Sequence, residues 1–442
     1  MNRLRTRAGT LLATAALVVP AAVLGAPAAH AAPACMNTSA PLTVEEQRLA
    51  KPVPQEILRR SGYDTKAPEF VRELCAAQTA ARARRVVTES GRQLWRAAVD
   101  RAQGRSPAGA HTVGRGPSVS GGVGQQAGLD RSDDRPLYWA RLGMTRALRR
   151  WQPPFPFGER ERAALLGQLE RSSRGEDSVQ LPAGNHVKRV VVTGFDPFTL
   201  DTDIRIGNPS GANALALDGT TLRTAAGPVR IETVIFPVRW DDFADGTVER
   251  TLLPYFTPGP RRVDMFVTVS QGRVGRFDVE RWNGAWRGGF PDNDNLSRTG
   301  TIPLPAWVPG DRPQPQWTAT TLPYQRIAEA RTGPFPVYDH TEVTELPAGQ
   351  STPVTRPDGP TPGSTARAGG GGDYLSNEIA YRATRLRDAV GLHVPSGHVH
   401  TPVLEFGAGN TGAITDPAFE HNRMAILTQL RAIIALAAGT LR

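Results

Sequence analysis

Val187-Lys188-Arg189-Val190-Val191-Val192-Thr193-Gly194-Phe195-Asp196-Pro197-Phe198 decides the fold class. A run rich in β-branched side chains enters a glycine, which is the signal of a strand buried on both faces. Comparable runs lie at 231–238 and 263–269, and Val394, Val399 and Val403 mark further short strands. Helical spacing intervenes at 210–218, 325–332, 375–390 and 415–438. Strands alternating with helices predict an α/β fold over residues 187–442, a three-layer αβα arrangement with a largely parallel sheet. Ligands of such sheets gather at the carboxyl ends of the strands. Two segments rich in Pro, Gly and Thr, 299–320 and 345–372, read as surface insertions.

Upstream of this domain the period changes. Residues 41–103 and 135–172 read as helical. Val71, Leu74, Ala77 and Ala81 recur at helical spacing, and Leu137, Ala140, Leu142, Ala147 and Leu148 follow it more loosely. A Gly/Ser-rich stretch at 104–128 separates the two as a loop. After Trp151 the prolines at 153, 154 and 156 end a helix, because they cannot continue it. Residues 32–183 thus form a helical accessory region that carries no motif with chemistry.

The first residues have the features of an export signal. Arg3, Arg5 and Arg7 precede an apolar run at 10–24, and Ala29-His30-Ala31 offers a small-x-small cleavage site. A secretory signal peptide over 1–31 is expected, with a membrane anchor as the alternative. No later segment is apolar enough to span a bilayer, so no membrane contact is expected after cleavage. Export places Cys35 and Cys75, the only two cysteines, in an oxidising compartment where they tend to pair. Two cysteines are too few for a disulfide-dense scaffold or a cysteine-built zinc site.

Composition excludes other classes. At 39% hydrophobic the chain can build a core, which rules out wholesale disorder. Lys+Arg number 52 against 42 Asp+Glu, a formal charge of +10, but only Lys51, Lys66 and Lys188 are lysines and no block of like charge occurs. Cleavage would remove three arginines and no acid, leaving +7. That dispersed charge does not describe a nucleic-acid surface. No P-loop and no G-x-S-x-G elbow is present. Gly407, Gly409 and Gly412 match a dinucleotide fingerprint, but too little chain follows for a βαβ unit, so a loop is the plainer reading. His398 and His400 would share one face of a strand and could bind zinc, yet no third ligand is evident, and no metal is expected.

The remaining blocks form an ordered series. Gly194-Phe195-Asp196-Pro197-Phe198 is followed by Asn208-Pro209-Ser210, then by Ser270-Gln271-Gly272-Arg273 with Glu280-Arg281. Phe290-Pro291-Asp292-Asn293 comes next, then Gly371-Gly372-Asp373-Tyr374-Leu375-Ser376-Asn377, and last Gly397-His398-Val399-His400-Thr401-Pro402. This order resembles pyroglutamyl peptidase I, the pyrrolidone-carboxylate peptidases, over about residues 187–442. The resemblance implies a cofactor-free peptidase that removes N-terminal pyroglutamyl groups from peptides. It implies Glu280 as the acid, His400 as the base and Ser376 in the position of the family's catalytic cysteine. It also implies Phe195 and Phe198 as pocket walls and Gln271 as the pyroglutamyl-binding amide.

The residue chemistry can be weighed beside the resemblance. Ser376 precedes the periodic positions Ile379, Ala383 and Leu386, so it belongs in the first turn of a helix, where free N–H groups favour negative charge. That field turns a thiol into a thiolate but cannot ionise a hydroxyl. Ser376 therefore needs His400 as general base and Glu280 to orient it. The plainer alternatives are a helix-capping serine, an exposed carboxylate, a core histidine and core phenylalanines. At the level of function the alternatives are an inactive homologue that binds peptide termini, and a hydrolase of another amide or ester.

Overall fold

The computed structural model describes residues 34–105, 128–184 and 186–442. The expected signal peptide at 1–31, and the part of the Gly/Ser-rich stretch between 106 and 127, lie outside the described residues. Six helices come first: α1 (Val44–Arg48), α2 (Pro52–Ser61), α3 (Lys66–Cys75), α4 (Ala80–Ala102), α5 (Arg135–Arg150) and α6 (Glu159–Ser173). Thr79 accepts the N–H of Arg82 and restarts the helix at α4, which resets its phase. Leu74 and Ala77 are buried as the spacing predicts, while Ala83, Val86 and Val87 take the inner face of α4 in place of the exposed Ala81. α5 is buried almost all round because the other five helices surround it. It stops at Arg150, and Trp151 is sealed in the core beside Phe155 and Phe157. Cys35 and Cys75 form a disulfide with Cα atoms 5.8 Å apart. This ties the start of the described chain to the end of α3 and shrinks the unfolded ensemble.

The sheet is built from β1 (Lys188–Phe195), β2 (Thr221–Thr224), β3 (Gly227–Phe236), β4 (Met265–Gln271), β5 (Phe277–Glu280), β10 (Val337–His340) and β14 (Ser396–Thr401). Between β5 and β14 lie the short strands β6 (Trp282–Gly284), β7 (Trp286–Gly288), β8 (Thr299–Thr301), β9 (Trp317–Ala319), β11 (Val343–Leu346), β12 (Val354–Arg356) and β13 (Thr365–Ala368). The main order is β10-β5-β14-β4-β1-β3-β2. The pairs β1–β3, β1–β4, β4–β14 and β5–β10 are parallel, and β5–β14 and β2–β3 are antiparallel.

Six more helices belong with this sheet: α7 (Pro209–Leu217), α8 (Trp240–Ala244), α9 (Thr247–Phe256), α10 (Tyr324–Glu329), α11 (Leu375–Ala389) and α12 (Pro417–Ala438). Alternation along β1 builds the layers. Val190 and Val192 pack with Phe419, Ile426 and Leu430 of α12, while Val191 and Phe195 pack with α8, α9 and α11. The result is the three-layer αβα arrangement expected, with a mostly parallel sheet. The described residues from Cys35 onward form one compact unit, and Leu200, Ala214, Leu215 and Ile235 share a core with the N-terminal helices.

Two expectations need correction. Val394 and Val403 flank β14 and are not strands themselves, because Pro395 and Pro402 remove ladder donors on either side. The segments 299–320 and 345–372 are more than surface loops. They supply β8, β9, β12 and β13, and the three-stranded sheet β12-β11-β13 returns the chain to the sheet's carboxyl ends at Gly369.

Candidate active site

β14 places His400 where the strand ends. His398 lies opposite Glu280 across the β5–β14 ladder, yet Glu280 reaches diagonally to His400. The His400 Nδ1 donates to Glu280 Oε1 at 2.7 Å. An ionised carboxylate only accepts, so Nδ1 carries a hydrogen, and Nε2 makes no hydrogen bond among the described residues. Glu280 is fully buried. Burial alone would raise its pKa, but hydrogen bonds from His340 and His400 outweigh that and hold it well below the usual carboxylate range. The second oxygen, Oε2, takes the Nδ1 of His340 at 2.6 Å.

Ser376 occupies the first turn of α11, as the period predicts, with Tyr374 at the N-cap. Asn377 pins that turn: its amide accepts from Gly284 N and donates to the carbonyls of Gly284 and Trp286. The N–H groups of Ser376 and Asn377 make no hydrogen bond among the described residues and are free to receive an anion. The Ser376 hydroxyl donates to Gly371 O at 2.9 Å and makes no hydrogen bond to His400. The two meet through the glycine run instead. A Cβ on Gly371 would lie 3.2 Å from His400 Cε1, and one on Gly370 would collide with the Glu280 carboxylate. The backbone thus passes close between nucleophile position, base and acid, at Gly370 at a distance only glycine allows.

A small cavity opens beside Ser376, with room for one small group. Phe195, Phe198, Val238, Tyr374 and Leu375 make it apolar. Asn208, Ser270 and Gln271 are its polar side chains. Asn208 is spent on Asp196 O and Ser210, and Ser270 bonds His398 Nε2. Among the described residues Gln271 uses only its Oε1, on Leu404 N at 3.3 Å, so its NH₂ remains an open donor beside the cavity.

The other blocks clamp this wall. Asn208 caps α7 and holds the carbonyl of Asp196, and the Ser210 hydroxyl receives Phe195 N. Asn293 donates to Pro197 O, and Asp292 accepts Trp240 N. From the helical region Arg141 and Arg174 grip the buried Asp196 at 2.9 and 2.6 Å, and Asp134 accepts Asn208 N. Glu45 of α1 accepts from Tyr138, Asn293 and Arg239. Burial raises its pKa to about 7.

The structure brings Glu280, His400, Ser376, Phe195, Phe198 and Gln271 to one end of the sheet, and Cys35 and Cys75 sit apart from it. His398 is a satisfied core histidine with Thr268 on Nδ1 and Ser270 on Nε2, each at 2.8 Å. Burial, then the nearby His400, depress its pKa well below the ordinary value, so both nitrogens are committed and neither faces a metal. Among the described residues no group of three His, Cys, Asp or Glu could hold a metal ion. Sequence reasoning missed His340, Asp134, Arg141 and Arg174. His340 ends a four-residue strand, Val-Tyr-Asp-His, too short and irregular to announce it.

Residues 26–170 match the family model described as the PA0049 N-terminal domain, and residues 189–309 and 335–405 match that of the PA0049 C-terminal domain. The chain is 36% identical to uncharacterized protein PA0049 of Pseudomonas aeruginosa, over 90% of this chain and 89% of that protein. The chain belongs to the PA0049 family. The two PA0049 domain models fall on the helical region and on the α/β region respectively. Among solved structures the chain is similar to a mutant pyrrolidone carboxyl peptidase from Pyrococcus furiosus, at 21% identity and a TM-score of 0.38, covering 57% of this chain and 100% of that one. The pyrrolidone carboxyl peptidase of Thermococcus litoralis is 18% identical with a TM-score of 0.37, covering 56% and 93%. Pyroglutamyl peptidase I of Bacillus amyloliquefaciens is 19% identical with a TM-score of 0.36, covering 57% and 97%.

Proposed function

We propose that this chain is a hydrolase of the pyroglutamyl-peptidase type that removes N-terminal pyroglutamyl groups from peptides through Ser376, His400 and Glu280. The cavity is the observation that carries this reading. It is small, walled by Phe195 and Phe198, offers one open amide donor from Gln271, and opens on the first turn of α11. A five-membered lactam presents an apolar ring and one amide carbonyl, which matches that lining.

The chemistry follows triad logic with serine as nucleophile. The Ser376 hydroxyl turns from Gly371 O toward His400 Nε2 and gives up its proton as Oγ bonds the scissile carbonyl carbon. The free N–H groups of Ser376 and Asn377 receive the oxyanion. His400 returns the proton to the departing amine as the C–N bond breaks. A water, deprotonated by His400, then hydrolyses the acyl-serine. Glu280 stays ionised throughout and stabilises the imidazolium.

One observation favours a second reading. The hydroxyl is bound to Gly371 O and not to His400, the arrangement of a site that binds a pyroglutamyl terminus without cleaving it. A fluorogenic pyroglutamyl amide decides between them. Turnover in the parent that drops to background in Ser376→Ala supports the hydrolase. An inactive parent with activity gained in Ser376→Cys supports the binder, and equal turnover in parent and Ser376→Ala removes Ser376 from the mechanism.

A further inference from the structure

His340 belongs to no block of the motif series, yet it makes one of the shortest contacts in the site. It ends β10, an edge strand paired in parallel with β5, and its Cα faces that of Glu280. The Glu280 carboxylate is fully buried and both its oxygens are taken by histidine Nδ1 atoms, His400 on Oε1 and His340 on Oε2. One buried negative charge therefore has two candidates for its compensating proton. Protonating both histidines leaves a net positive charge in the site, and protonating neither leaves a net negative one. Each costs desolvation energy that the singly protonated arrangement avoids.

The surroundings favour His340 for that proton. Its side chain is 12% exposed against 5% for His400, so water reaches it more readily. Arg273 Nη1 lies 3.7 Å from Oε1, the oxygen that holds His400, and its charge also reaches His340, where it opposes a cation without cancelling the pull of Glu280. His398, neutral and 4.7 Å away ring to ring, offers His400 no countercharge. Around His340 the remaining charges are paired: Asp278 with Arg273 and Arg276, and Asp339 with Arg281, whose guanidinium also lies over Tyr324. Arg276 also stacks over Tyr338. Burial pulls the His340 pKa down, but the Glu280 hydrogen bond and charge prevail and raise it above the ordinary value.

We infer that His340 is a positioning residue that carries the cation of the Glu280 pair and so leaves His400 neutral as the base a serine nucleophile requires. The inference rests on the hydrolytic reading above. Serine makes it consequential. A thiolate–imidazolium pair tolerates a protonated histidine, whereas a serine hydroxyl can react only while His400 Nε2 is unprotonated. With His340 in place, the Glu280 charge is shared between two imidazoles. Without it, the whole carboxylate charge acts on His400 and favours its protonated form.

Histidine side-chain NMR on the full chain with Ser376→Ala tests this without relying on turnover. His340 is expected to stay protonated at a pH where His400 is neutral, and His340→Gln is expected to move the His400 titration up by about one pH unit. In Ser376-containing protein the acid limb of kcat/KM should move by the same amount. A cationic His400 beside a neutral His340 in the unsubstituted site overturns the inference, and so does an unmoved His400 titration in a folded His340→Gln protein. An inactive parent removes the hydrolytic reading, while the titrations still decide the role of His340.

Discussion

His398 and His400 stand two residues apart on one face of β14 and have opposite chemistry. His398 is enclosed, with both nitrogens on hydroxyls, while His400 keeps one nitrogen open. The H-x-H pattern was legible, but which ring is closed depends on Thr268 and Ser270 of a strand about 130 residues earlier, which no local pattern reports. The difference has a pH signature. His398 is held neutral in the fold, whereas in the unfolded chain it titrates near its ordinary value of 6.5. Below that pH the unfolded state binds a proton that the folded state refuses, so stability falls as pH drops. The depressed Glu280 acts in the same direction at lower pH, below the ordinary glutamate range. His340, raised, acts oppositely: its contribution is present at low pH and is lost as pH rises through its folded pKa. Urea unfolding between about pH 5 and 6 should show a slope about 1.4 kcal/mol per pH unit steeper in the parent than in His398→Phe, the linkage of one proton. Equal slopes would contradict the neutral, sealed His398.

At the level of elements, β1, β3 and β4 were legible as continuous β-branched runs, and α7, α11 and α12 as apolar stretches at helical spacing. β5 and β10 were not. They have four residues each, β5 alternating apolar and acidic groups and β10 showing no period at all, and they owe their strand form to pairing with β14 and with each other. The loop after β1 shows what the helical region does for the site. Asp196 sits between Arg141 of α5 and Arg174, and α1 reaches Pro197 through Glu45 and Asn293. These contacts hold the loop that carries Phe195 and Phe198. Asp196→Ala leaves Arg141 buried without its carboxylate and takes from Arg174 one of its two, Glu170 remaining. We expect a loss of about 3 kcal/mol in urea unfolding, the scale for breaking a buried pair, with KM for a pyroglutamyl amide rising more than kcat falls. An unchanged KM in a destabilised protein would confine this contact to folding.

Across the whole molecule, the motif series was readable because its blocks, scattered from 194 to 402, are the walls and clamps of one cavity at the carboxyl ends of the parallel strands. The contribution of the helical region was unreadable for the opposite reason: it arrives as single residues, Asp134, Arg141 and Arg174, with no spacing in common. The central claim, that this assembly makes Ser376 a nucleophile, is tested most directly by catching the bond it would form. The full chain, mixed briefly with a pyroglutamyl active ester and quenched in acid, should carry one pyroglutamyl group on the peptide containing Ser376, and Ser376→Ala should carry none there. An unmodified Ser376 in the parent, or acylation that persists in Ser376→Ala, would contradict it.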